Sequence, residues 1–99
     1  MLYKFKSKAA GDLIMLEVNG QRVLEVIGKE AGPKGIILPE QMPAAIVALE
    51  AAIAFEEAQI QENPDAALHE GLGLRQRALP FIDMLQRNHK AGHEVVWGV

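Results

Sequence analysis

Two histidines, His89 and His93, stand four residues apart in the C-terminal stretch RNHKAGHEVVWGV. On an unbroken helix that spacing brings two imidazoles onto one face, a metal-ligand arrangement. Gly92 lies between them and is expected to end the helix, which spoils the geometry. A specific site needs a third ligand. Glu94 is adjacent, and His69 with Glu70 falls in a polar loop; neither is obviously placed. Without such a ligand, His89 and Lys90 have a simpler role, as cations at the negative end of a helix dipole. The carboxylates Glu56, Glu57, Glu62 and Asp65 form a second cluster. Glu56 and Glu57 are neighbours on a helix and diverge by about 100°, so they cannot work as a close acid–base pair. A solvated helix face is the expectation for them. Ser7 is the one serine, threonine is absent, and no nucleophile-elbow pattern surrounds Ser7. KEAGPKG has glycines and lysines but neither the Walker spacing nor the dinucleotide fingerprint, and reads as a flexible connector. Arg75 and Arg77 face different ways; one could pair with Glu70 or Asp83 and the other with a ligand, salt bridging being the default for both.

The bulk numbers narrow these options. The chain has 99 residues, a formal net charge of −3 and no cysteine. Disulfides, cysteine zinc sites, iron–sulfur clusters and thiol catalysis are therefore excluded. The negative balance argues against general nucleic-acid binding, which needs a positive field. No apolar run approaches the roughly 20 residues of a membrane span, and the start MLYKFKSKAAGDL lacks a signal-peptide pattern. The expectation is a single domain over residues 1–99, cytoplasmic, with no membrane or nucleic-acid partner and no cofactor.

The elements that would position these side chains follow from periodicity. LYKFK alternates, with Tyr3 and Phe5 on one face, and reads as a strand. LIMLEVNGQRVLEVI has two readings. Asn19-Gly20 between apolar runs is a hairpin signal, whereas Leu16, Val23, Leu24 and Ile27 recur at helical spacing. The helix over about 19–27 is favoured, with Asn19 as N-cap and Gly28 at the end. IIL is a short buried anchor inside a loop. Pro39-Glu40 starts a long helix over about 39–61, with Met42, Ile46, Leu49, Ile53 and Ile60 as its inner stripe. The last helix carries Leu74, Ala78, Phe81 or Ile82, and Leu85 inward, with Pro80 kinking or restarting it. HEVVWGV alternates as a final strand. The fold class is α+β: a small sheet pairs the N-terminal and C-terminal strands and is covered by about three helices, with Trp97 beside Phe5 in the core.

The long helix has a second face. Ala44, Ala45, Ala48, Ala51, Ala52, Ala54 and Ala58 leave it smooth, and Phe55 projects near them. Small side chains let another helix approach closely. Packing against the last helix or self-association as a homodimer would both use such a face.

The segments LYKFKSKAAGD, GKE, GII, EQMPAAI, LEAAI, LRQRALPFIDML and VVWGV together resemble a small bacterial domain-of-unknown-function family numbered 1840. The likeness covers nearly the whole length and is weakest over 61–71. It implies no activity, cofactor or catalytic residue. Its hallmarks fall here on Arg77, Ala78, Pro80, Trp97 and Gly98 rather than on histidine, which implies a shared ligand or partner surface near Arg77 and Trp97. Three functions follow in order: a non-catalytic binding or protein-interaction module, homodimeric, with Arg77, Trp97 and Phe55 as candidate surface residues; a metal-binding or sensor protein using His89 and His93; and an enzyme using the scattered carboxylates with Arg77.

Overall fold

A computed structural model describes residues 2–62 and 73–98 of the chain. The order of elements is β1 (Leu2–Ser7), β2 (Leu13–Leu16), α1 (Glu17–Val26), β3 (Gly35–Ile37), a 3₁₀ turn (Pro39–Gln41), α2 (Met42–Glu62), α3 (Leu74–Ala91) and β4 (Val95–Trp97). The strands form an antiparallel sheet in the order β2-β1-β4-β3. The N-terminal and C-terminal strands are its central pair, and the three helices complete an α+β fold. Phe5 stands opposite Trp97, and their rings lie 5.9 Å apart. Phe81 from α3 comes within 4.8 Å of Phe5. These rings anchor an apolar cluster that includes Leu24, Ile37, Met42, Leu49 and Leu85.

Strand alternation decides which face is covered. Tyr3 and Phe5 are buried while Leu2 and Lys4 between them are exposed. On the same outer face Ile14 and Leu16 of β2 are 56% and 61% exposed.

The segment after β1 combines both of its sequence readings. Leu13–Leu16 is a strand paired with β1, and the helix begins directly at Glu17. Asn19 is therefore not an N-cap. It lies in the first turn behind Leu16, which gives no side-chain cap. Asn19-Gly20 is not a hairpin turn either. Gly20 is there because a Cβ would stand 2.5 Å from the Tyr3 ring, closer than packed atoms can come. The helix ends at Val26, and the turn beyond it is closed by Gly28 N–H donating to the Glu25 carbonyl and Lys29 N–H to that of Leu24, a double capping pattern.

β3 replaces the expected loop anchor: Gly35–Ile37 pairs with β4. Gly35 is required because the Trp97 ring occupies the space its Cβ would take. The preceding KEAGPKG segment is not free either. The Tyr3 hydroxyl donates to the Ala31 carbonyl at 3.1 Å, and the Trp97 indole N–H donates to Gly32 at 3.1 Å. The long helix expected over about 39–61 opens as the 3₁₀ turn Pro39–Gln41 and runs as α2 over Met42–Glu62, and α3 runs unbroken through Pro80. Pro80 lies on the exposed side of α3, where water can take the hydrogen bond it forfeits. Gly92, at φ 75°, caps α3 as its sequence implies. No helix among the described residues is long and apolar enough to cross a membrane.

Candidate functional site

Glu56 is not part of a solvated acidic face. The inner stripe of α2 passes through Leu49 and Ile53 to Glu56, which is only 7% exposed. Its Oε1 accepts the backbone N–H groups of Gly73 and Leu74, both at 3.1 Å, and so caps the N-terminus of α3. Its Oε2 accepts Arg22 Nη2 of α1 at 2.7 Å. One carboxylate thus joins all three helices. Burial pushes the Glu56 carboxyl up. The two backbone N–H groups and the Arg22 guanidinium outweigh that, and its pKa falls below the ordinary value of 4.5. A carboxyl held ionised in this way is a poor proton donor near neutral pH. Glu57 points elsewhere. It takes a two-point bond from Arg75, at 2.6 and 2.7 Å. The Arg75 hydrogen bonds lower the Glu57 pKa, and the same bonds raise that of Arg75. Glu62 is exposed at the end of α2, while Asp65, His69 and Glu70 lie outside the described residues.

Other polar groups with chemical potential are also occupied by structure. Ser7 Oγ donates to the Ala10 carbonyl at 3.1 Å. Asn88, fully buried, accepts the Ala9 N–H and donates to Met84 O, tying the bend after β1 to α3. His89 is exposed at the end of α3 and His93 lies beyond the left-handed Gly92. Among the described residues no cluster of three or more metal-binding side chains forms.

The three candidate surface residues are not brought together. Trp97 is 2% exposed and is a packing residue that holds Gly32; it offers no surface. Its neighbour Gly98, at φ 76°, leaves no room for a Cβ against Pro33 and Lys34. Arg77 lines a groove of about 280 Å³ with Leu13, Ile14, Met15, Leu16 and Pro80. Of the four arginines, Arg22, Arg75 and Arg87 have carboxylate partners. The Arg77 side chain has none among the described residues.

Phe55 is 67% exposed and Val47 65% exposed on the outer side of α2. Ala44, Ala51, Ala54 and Ala58 are exposed with them. At 3.6 residues per turn these six positions fall within an arc of about 100°. The alanine face therefore divides: Ala45 packs inward while this stripe faces away from the core. A wider groove of about 450 Å³ runs alongside, between α2 and α3, past Ala54, Leu79 and Ile82.

The architecture is that of a small α+β protein whose polar side chains serve mainly as struts. The chain belongs to the family described as Domain of unknown function (DUF1840), whose profile it matches over residues 1–97. No curated protein and no solved structure matches it.

Proposed function

We propose that this protein is a non-catalytic interaction module that pairs with a second copy through the outer face of α2. The observation that carries the reading is the apolar stripe in which Val47 and Phe55, each about two-thirds exposed, flank Ala51. Both stand four residues from Ala51, and Ala44 and Ala58 stand seven residues from it. Two copies of α2 crossing antiparallel on a two-fold axis at Ala51 bring Val47 of one against Phe55 of the other. Ala44 then meets Ala58, and alanine at the crossing lets the axes approach to about 8 Å. The stripe is self-complementary because its large and small members are placed symmetrically about its centre. The occupation of Glu56, Glu57 and Ser7 by structural bonds supports the non-catalytic part.

The absence of cysteine makes the register testable. Ala51→Cys is expected to oxidise to a covalent dimer, and Phe55→Glu added to it is expected to abolish that product. Equal cross-linking with and without Phe55→Glu would sink the proposed face.

A further inference from the structure

The sheet has two edges, and they differ in protection. β3 spans only Gly35–Ile37 and is bracketed by Pro33, Lys34 and Pro39, devices that discourage a further strand. β2, Leu-Ile-Met-Leu, contains no charge, proline or glycine. It pairs with β1 on one side and, among the described residues, has no strand on the other. Beside it lies the groove formed with the first half of α3. The groove walls are apolar, from Leu13 to Leu16 and Pro80. Two amides, Asn19 and Gln76, join them, and Arg77 is the one charged residue of the lining among the described residues. Asp12, which precedes Leu13, lies 3.5 Å from Lys4. Gly73 allows the guanidinium to sit close to the start of α3: its Cβ position would be 3.0 Å from Arg77 Nη1.

We infer that this groove receives an extended peptide segment, which adds to the sheet as a strand beside β2 and carries a carboxylate held by Arg77. Free backbone groups along an edge are satisfied best by another extended backbone, which is how peptides augment sheets. The guanidinium fork matches a carboxylate in two-point geometry. A second copy of this chain, pairing β2 with β2 across a two-fold axis, is the competing occupant, and the test below distinguishes it. The site is separate from the outer face of α2, so this inference survives if the proposed dimer does not.

The probe is a pool of random synthetic heptapeptides, prepared with free and with amidated C-termini. It is selected on the immobilised protein and, in parallel, on Arg77→Gln. Selected peptides are expected to carry a carboxylate beside alternating apolar residues. Arg77→Gln is expected to weaken them tenfold or more, while Arg77→Lys keeps part of the affinity. Hydrogen exchange at residues 13–16 is expected to slow on binding. Loss of binding on amidation identifies the chain end as the source of the carboxylate. Loss only on Asp→Asn or Glu→Gln change within the peptide identifies a side chain. Three results overturn the inference: no enrichment over the Arg77→Gln protein, equal binding of neutral peptides, or concentration-dependent protection of 13–16 without peptide, which assigns the edge to a second copy. Circular dichroism of Arg77→Gln and Arg77→Lys separates loss of binding from loss of fold.

Discussion

Removing the Glu56 carboxylate is expected to loosen all three helices at once. Glu56→Ala leaves the Gly73 and Leu74 N–H groups without an acceptor, in a site where the carboxylate is 7% exposed. Unsatisfied buried donors cost ~1–3 kcal/mol, and a lost helix cap is of the same order. The Arg22 side chain is 44% exposed and regains water, so its ion pair adds less than ~1 kcal/mol. The expected loss is therefore about 2–4 kcal/mol, a large share of the 5–15 kcal/mol typical of small proteins. Glu56→Gln keeps an acceptor for the two N–H groups but loses the charge, and about 1 kcal/mol is expected. The pH response separates charge from packing. The folded pKa of Glu56 is depressed, so protonation favours the unfolded chain. Its contribution is complete above the ordinary value of 4.5 and is lost as pH falls through the lower folded value. Urea unfolding followed by circular dichroism, at neutral pH and in steps down to pH ~3, reads both effects. Glu57, also depressed, titrates in every variant, so the difference between wild type and Glu56→Gln isolates Glu56. A cost below ~0.5 kcal/mol for Glu56→Ala, or identical pH slopes for wild type and Glu56→Gln, refutes the assignment of Glu56 as a helix-joining cap.

Other substitutions test the same framework. Gly20→Ala gains up to ~1 kcal/mol of helix propensity but drives a methyl into the Tyr3 ring, an overpacking cost of ~1–3 kcal/mol; a lowered melting temperature is expected, and a raised one contradicts the close packing of α1 on β1. Asn88→Leu orphans the Ala9 N–H and removes the bond to Met84 O, with an expected loss of ~1–3 kcal/mol in chemical unfolding. Tyr3→Phe releases the Ala31 carbonyl and is expected to cost ~1 kcal/mol, with faster amide exchange over residues 29–34. Phe55→Glu is expected to leave the unfolding free energy within ~0.5 kcal/mol of wild type at concentrations low enough for both to be monomeric, because Phe55 is a surface residue of the single chain.

The parts of the fold legible in the sequence are those with an uninterrupted period. LYKFK and VVW alternate cleanly, and their pairing of Phe5 with Trp97 followed. α2 and α3 carry long helical stripes ended by a recognisable Gly92. LIMLEVNGQRVLEV was ambiguous because period 2 passes into period 3.6 without a turn residue between them, and Gly20 answers to a distant Tyr3 ring rather than to a local turn. β3 was hidden because a three-residue strand has too little pattern of its own and exists through pairing with β4, about sixty residues away. Glu56 left a usable signal: Leu49 and Ile53 lead to position 56, where the inner stripe requires a buried side chain and the sequence supplies a carboxylate. Asn88 does the same after Leu85 on α3. Arg77 was legible as a cation for a salt bridge or a ligand, but its neighbours were not, because its groove joins α3 to a strand some sixty residues earlier.

Native mass spectrometry of the chain, purified without chelator, tests the proposed module most directly. A species of twice the 10.8 kDa chain mass with no adduct is expected, reverting to the single-chain mass in Phe55→Glu. A wild-type protein that stays at the single-chain mass at high micromolar concentration contradicts it, as does a dimer that Phe55→Glu leaves intact.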